Sequence, residues 1–223
     1  MNKHDVGTII KKAWGEQNPA GWFDTVYAKA AAGYGDVPWA SMRPHPDLTE
    51  WLTENKIDGT GKKAIVIGAG LGDDAEELSS CGFAVTAFDI SQAAIEWCQQ
   101  RFPGSHVNYL VADLLDIPHK WRNAFDLVLE IHTLQALPHQ LTEQTMTNIA
   151  AMAVPGGTVL VMCFAREPQE NKKGIPWPLS RMELDDFHKQ GLIEISFEDH
   201  LINSVRRFCV QYNKVTKEIS DED

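Results

Sequence analysis

The chain has 223 residues, 43% of them hydrophobic and 23% charged, with a formal net charge of −11. That length suits one domain with a short extension and allows a sizeable core. The acidic balance argues against a general nucleic-acid binder, which needs Lys and Arg to neutralise phosphates, and the nearest candidates, Lys172-Lys173 and Arg206-Arg207, are isolated pairs.

Residues 1–60 hold Trp14, Trp22, Trp39 and Trp51, four of the seven tryptophans. The pattern predicts helices near 4–14, 19–32 and 47–55. Pro19 after Asn18 suits the first position of the second helix. Between the last two helices, residues 33–46 read as a loop from their Gly and Pro content. From residue 62 short apolar runs alternate with helical stretches. Strands are expected at 63–67, 84–88, 107–112, 125–131 and 158–163, the last entered through the turn Pro155-Gly156-Gly157. Helices are expected at 73–80, at 91–101 with Ser91 as cap, and at 139–153. This rhythm argues for βαβ units around a parallel sheet. It breaks at the end. Ser180 with Glu183 forms a capping box opening a helix to about Gln190. Two strands at 193–197 and 204–212 then follow with a connection too short for a parallel crossover, so they should pair antiparallel.

Cys81, Cys98, Cys163 and Cys209 form no C-x-x-C pair and read as buried, reduced thiols. The N-terminus lacks the apolar core of a signal peptide, and no apolar run reaches membrane-spanning length, so a cytoplasmic location and no membrane partner are expected. The division expected is a helical N-terminal lid over 1–60, a main domain over 61–214 and an acidic tail over 215–223.

Ile65 to Leu78 reads as strand, glycine turn and helix start, with Gly68, Gly70 and Gly72 in the turn. Such glycines let the backbone turn tightly and approach a ligand. Asp89 follows at the end of the next strand, where a carboxylate commonly bonds ribose hydroxyls. A P-loop is excluded because no Gly-Lys-Ser/Thr follows. A dinucleotide fits poorly. The spacing is G-x-G-x-G, and the helix start carries Asp73 and Asp74, which would repel a pyrophosphate. S-adenosylmethionine has no phosphate and carries a sulfonium and an ammonium group, so an acidic rim suits it. Asp113 ends the third strand at the carboxyl edge of the sheet and can accept from an adenine amino group, with turn capping as its alternative.

Taken in order, Gly68 to Gly72, Asp89, Ala112-Asp113-Leu114, Phe125 to Leu129, Pro155-Gly156-Gly157 and the closing hairpin resemble the class I S-adenosylmethionine-dependent methyltransferases over roughly 60–212. The resemblance implies an α/β, doubly wound, seven-stranded mostly parallel sheet with an antiparallel last strand. It implies S-adenosylmethionine as cofactor, with Ile90 and Leu114 beside the two carboxylates completing its contacts. Pro38-Trp39 followed by Arg43-Pro44-His45-Pro46 is similar to the N-terminal segment of the thiopurine, thiol and halide methyltransferases, where an aromatic covers the cofactor; this implies that role for Trp39. Gly174 to Leu179 is similar to a substrate-side loop of that group. Ala40 replaces an acidic residue often found after Pro-Trp, and Glu130 to Leu134 departs from the thiopurine enzymes' stretch.

Glu130 and His132 stand two apart at the end of the fourth strand and share a face if the strand continues. Glu130 is then placed for the cofactor's amino-acid portion or the substrate. His132 is the candidate general base, against a hydrogen-bonded structural histidine. Trp177 is a candidate substrate contact or a core anchor. Arg43 and Arg166 are candidates for an anionic substrate group, against ordinary surface charge. No metal site has recognisable ligand spacing. The function expected is methyl transfer to a small-molecule acceptor, a thiol or other soft nucleophile first. The alternatives are O- or N-methylation with His132 as base, and a non-catalytic cofactor-binding regulator. The oligomeric expectation is monomer or homodimer.

Overall fold

The computed structural model describes residues 21–171, 174–202 and 204–216. The helix expected near 4–14, Trp14, the Lys172-Lys173 pair and the end of the tail lie outside the described residues. Seven strands form one sheet: β1 (Lys63–Ile67), β2 (Ala84–Asp89), β3 (Asn108–Val111), β4 (Phe125–Ile131), β5 (Ala153–Phe164), β6 (Leu192–Ile202) and β7 (Val205–Lys214). Their order is β3-β2-β1-β4-β5-β7-β6. β1 to β5 pair parallel, and β7 runs antiparallel to both β5 and β6. The sheet is thus the expected seven-stranded one with a reversed last strand.

The helices are α1 (Gly21–Ala31), α2 (Pro46–Glu54), α3 (Asp73–Ser80), α4 (Gln92–Arg101), α5 (Thr142–Met152) and the short α6 (Arg181–Leu184). Strand alternation splits the central strands between two cores. Ile65, Ile67, Val128, Val159 and Val161 pack on one face, and Ala64, Val66, Leu127, Leu129 and Leu160 on the other. Burial on both faces is why these strands read as unbroken apolar runs. Each such buried Val, Leu or Ile contributes about 1.5–3 kcal/mol.

Several boundaries differ from the sequence reading: the strand expected at 193–197 extends to Ile202, and the helix opened by Ser180 is α-helical to Leu184 and 3-10 from Asp185 to Gln190. β5 begins at Ala153 and absorbs Pro155-Gly156-Gly157, because a register shift opposite Phe125 and Leu127 accommodates the turn inside the strand. The helix expected from 139 opens as a 3-10 turn, His139–Leu141, before α5. Ser91 caps α4 as expected, accepting from Ala94 N–H. Glu183 accepts from the Ser180 N–H and begins α6.

The N-terminal helices are tied to the sheet domain by polar contacts. Asp24 of α1 accepts from Ser91 Oγ–H at 2.8 Å and from Ala93 N–H at 3.1 Å, joining α1 to the start of α4. α2 buries Leu48, Trp51 and Leu52 against the sheet, and Trp51 Nε1–H donates to Gln211 of β7 at 3.1 Å.

Gly72 stands at the start of α3 with φ 90°, and a Cβ there would lie 2.6 Å from Tyr109 Oη. Gly72→Ala is therefore expected to cost about 1–3 kcal/mol, seen by calorimetry as a fall of several degrees in Tm; an unchanged Tm would show that the turn is relaxed.

Candidate active site

The carboxyl ends of β1 to β4 open on one crevice. The chain leaves β1 toward β2 on one side, while β4 lies on the other, which makes this the topological switch point where ligands of open α/β sheets bind. A cavity of about 1130 Å³ occupies it, roofed by α1 and the loop after it.

One half is built on the glycine turn. Gly68, Gly70 and Gly72 line it at φ 64°, 56° and 90°, a region that side chains other than glycine's enter at a cost. A Cβ on Gly68 would sit 2.3 Å from Thr133 Oγ1. The turn is pinned by Asp89. Its carboxylate accepts from Gly70 N–H at 3.0 Å and Ser91 N–H at 2.9 Å while also lining the cavity. Burial pushes this carboxyl up to about 6, and the two N–H donors oppose the rise. Asp113 lines the same half and accepts from Leu115 N–H at 2.8 Å, so the turn-capping alternative holds alongside its place in the cavity. Ile90 and Leu114 flank the two carboxylates in the wall. Trp39 reaches over from the loop. Its Nε1–H donates to Tyr27 Oη at 2.9 Å, and its ring meets Trp22, Phe23 and Tyr27 edge-on.

The acidic helix start needs revision. Asp73 is held by Arg101 of α4 in a two-pronged pair at 2.7 and 2.8 Å, so its charge is neutralised from a partner 28 residues away. Asp74 accepts from His45 N–H at 2.6 Å, and burial raises its carboxyl to about 6. Arg101 does not line the cavity, so this half still presents Asp74, Asp89 and Asp113 with no facing Lys or Arg. That fits a cationic ligand. The missing Cβ atoms and the buried carboxylate give room and a hydrogen-bond acceptor for a nucleoside.

The other half is lined by His45, His132, His139, Phe164, Trp177, Arg43 and Arg207. β4 stops at Ile131, and His132 turns out of the strand at φ 60°. Its ring stacks on Phe164 at 4.1 Å. Gln135, fully buried, sets its proton. The Gln135 amide nitrogen donates to Phe164 O and Trp177 O, each at 2.7 Å, and its oxygen accepts from Phe164 N–H at 2.8 Å. That oxygen faces His132 Nδ1 at 3.1 Å, so the hydrogen-bond network puts the proton on Nδ1. Nε2 then carries the lone pair and makes no hydrogen bond among the described residues. Burial pushes His132 down to about 4, opposed by Gln135. Trp177 is buried, packs against His139 with ring centroids 3.8 Å apart and planes tilted by 59°, and donates Nε1–H to Leu137 O at 2.8 Å, so it is both an anchor and a wall residue.

Two expected site residues do not reach the cavity. Glu130 is fully buried, and one carboxylate oxygen accepts from Leu134 N–H at 2.9 Å. The turn at His132 breaks the strand, so the shared face fails, and His132 lines the cavity while Glu130 does not. Arg166 is buried too. It donates to Pro178 O, Glu167 O and Pro168 O and pairs with Glu183 at 2.6 Å, so it staples the loop after β5. Gln135, Tyr27, Phe164 and Arg207 were absent from the sequence-derived site. Among the described residues Asp185, His188 and Glu194 come within metal-ligand distance of one another, outside this cavity.

Glu130 gives a test of its displacement. Burial raises its carboxyl to about 7. Between the unfolded value near 4.3 and about 7, the unfolded chain loses this proton before the folded one. Stability contributed by the protonated form therefore falls by about 1.4 kcal/mol per pH unit over that window. Glu130→Gln should remove this slope, measured as Tm from pH 5 to 8. It should leave ligand affinity within about twofold; a tenfold loss would return Glu130 to the site.

Residues 64–157 match the family model described as a methyltransferase domain. No curated protein sequence matches the chain. Among solved structures, the chain is similar to a protein of echinomycin biosynthesis described by the conversion of a disulfide bond into a thioacetal group, at 20% identity and TM-score 0.73, covering 90% of this chain and 93% of the other. It is similar to the [4+2]-cyclase SpnF at 15% identity and TM-score 0.70, covering 90% and 96%. It is also similar to the Burkholderia thailandensis 1,6-didemethyltoxoflavin-N1-methyltransferase with its substrate and S-adenosylhomocysteine bound, at 15% identity and TM-score 0.68, covering 97% and 92%. At these identities the structures establish the fold, and a cyclase among them is a reminder that fold alone does not set chemistry. The domain match bears on the chemistry: the chain carries a methyltransferase domain over residues 64–157, beside a cavity that suits a cationic nucleoside.

Proposed function

We propose that this protein methylates a small-molecule acceptor whose reacting atom is a thiol or comparable soft nucleophile. The observation that carries this is the single cavity that joins the glycine-turn half to the half walled by His132, Phe164 and Trp177. In it Asp89 would hold the ribose hydroxyls, Asp113 the adenine edge, and the glycine turn with Ile90 and Leu114 the nucleoside body. Trp39 would cover the cofactor with an aromatic face that favours a cation. α1 and the loop after it would act as the lid. Bound cofactor supplies an activated methyl on a sulfonium, and the protein's task is to hold acceptor and methyl in line and keep water out.

The state of His132 favours the soft nucleophile. An imidazole at about 4 holds a proton weakly. Taking one from a phenol of pKa about 10 would cost about 8 kcal/mol, from six units of mismatch. Without a base, ionisation at neutral pH costs about 4 kcal/mol for that phenol and about 2 kcal/mol for a thiol of pKa about 8.5, which needs no strong base. His132 Nε2 would then accept a hydrogen bond from the acceptor and orient it. The segment from Pro38 to Pro46 supports a place near the thiopurine, thiol and halide group.

Two variants check this reading. Asp89→Ala is expected to weaken S-adenosylhomocysteine binding by about 10–100-fold, the worth of hydrogen bonds to a charged group; an unchanged Kd in calorimetry would remove the ribose role. Because an imidazole at about 4 is too weak a base for a phenol, His132→Ala should change methylation of phenols and of thiols alike by less than about tenfold, with transfer read as S-adenosylhomocysteine release. A loss of about a hundredfold on phenols alone would make His132 a working base and overturn the orienting role.

A further inference from the structure

The charges lining the cavity are segregated. Every lining carboxylate, Asp73, Asp74, Asp89 and Asp113, belongs to the glycine turn, the helix it opens or the ends of β2 and β3. The lining guanidinium groups, Arg43 and Arg207, come from the loop before α2 and from β7. Arg207 is the informative one. Its Nε is buried and has no hydrogen-bond partner among the described residues. Asp47 of α2 forms an ion pair with its Nη1 at 3.7 Å, too long for a hydrogen bond, so the pair leaves the Nε–H without an acceptor. His45 Nδ1, beside them in the wall, is another buried polar atom without a hydrogen-bond partner among the described residues. Buried guanidinium donors are normally satisfied, and an unmet donor on a side chain that lines a cavity is where a ligand's acceptor atoms belong.

We infer that Arg207, assisted by Arg43, binds a carboxylate on the methyl acceptor, making the substrates of this enzyme acidic thiols or similar acids. The inference rests on the methyl-transfer reading above and names its substrate class. A guanidinium meets a carboxylate in two parallel hydrogen bonds, which gives direction as well as charge. The wall suits an aromatic acid, because the Phe164 and Trp177 rings line it. The Arg207 guanidinium lies 5.9 Å from the centre of the Phe164 ring, and that ring stacks on His132 at 4.1 Å. The guanidinium and the imidazole thus both neighbour the Phe164 ring, which puts the anion-binding group and the orienting Nε2 in one wall. A chain of net charge −11 attracts no anion through its overall field, so a local pair of cations is what such a substrate requires.

The test is equilibrium binding to the protein saturated with S-adenosylhomocysteine. The probes are 2-, 3- and 4-mercaptobenzoate, compared with thiophenol, which lacks the carboxylate. At least one isomer is expected to bind tenfold or more tighter than thiophenol. Arg207→Gln should reduce that preference to less than threefold while S-adenosylhomocysteine affinity stays within twofold, and Arg43→Gln should reduce it partway. The inference is overturned if no isomer outbinds thiophenol in the unaltered protein, including the case in which none binds, or if the preference survives Arg207→Gln. Transfer is scored separately as S-adenosylhomocysteine release. Binding without release on any thiol would count against the methyl-transfer reading and leave the carboxylate subsite standing.

Discussion

One buried carboxylate organises the cofactor end of this protein. Asp89 accepts from Gly70 N–H and Ser91 N–H, so it fixes the glycine turn to the end of β2 and the start of α4 in one step. Ser91 caps α4 through Ala94 N–H and donates its hydroxyl hydrogen to Asp24 of α1. The turn that approaches the nucleoside, the helix beside it and the lid above it therefore hang on one hydrogen-bonded chain. Each link is ordinary in strength, about 1 kcal/mol net. Their value is in register, since the turn's three positive-φ glycines have little side-chain packing of their own to hold them.

The acceptor end has a different organiser. Gln135 is bonded on both sides of its amide to the backbone of β5 and of the loop that carries Trp177. Those bonds leave one oxygen lone pair for His132 and so decide its tautomer. A Glu there would face two carbonyl oxygens with no donor, and a hydrophobic residue would take the Gln135 bonds from Trp177 O and Phe164 N–H, while Phe164 O would keep the Leu179 N–H. The amide is the side chain that satisfies both carbonyls and N–H at once. The acceptor wall is thereby a consequence of strand pairing, since Phe164 ends β5 and is bonded through Gln135 to the turn after β4.

This difference explains what was legible in the sequence. The sheet, the hairpin, the glycine turn, Asp89 and Asp113 depend on local backbone requirements that leave a mark within a few residues. Gln135 carries no such mark, because its partners are 29 and 42 residues away. Arg101 escaped for the same reason, and its pairing with Asp73 halves the acidic rim that first spoke against a pyrophosphate. Glu130 was misplaced because strand parity was carried one residue past the true end of β4, where His132 takes a positive φ. Arg166 is a substrate candidate or a surface charge in the sequence, and it is neither in the structure, because backbone carbonyls and Glu183 hold it in a buried place. Arg207 was dismissed as half of an isolated basic pair. The structure separates that pair, with Arg206 bonded to Asp199 and Arg207 facing the cavity.

The electrostatics of the cofactor end also bear on what the cavity is for. Burial raises Asp74 and Asp89 to about 6. A carboxyl raised in the folded state costs stability as pH climbs from its unfolded value toward its folded one, and the cost persists above that. At neutral pH the fold therefore carries two partly desolvated anions that destabilise it. Evolution could remove either with an amide, unless a cation arrives to offset the burden. A ligand with sulfonium and ammonium charges does this, drawing both carboxyls back toward their ordinary values as it binds. A pyrophosphate would deepen the penalty. The expense of keeping these carboxylates buried is thus an argument, independent of any motif, for a cationic ligand at the glycine turn. It also explains why the anion-binding guanidinium groups are kept at the other end of the same cavity, where their charge cannot cancel the field that the cofactor needs.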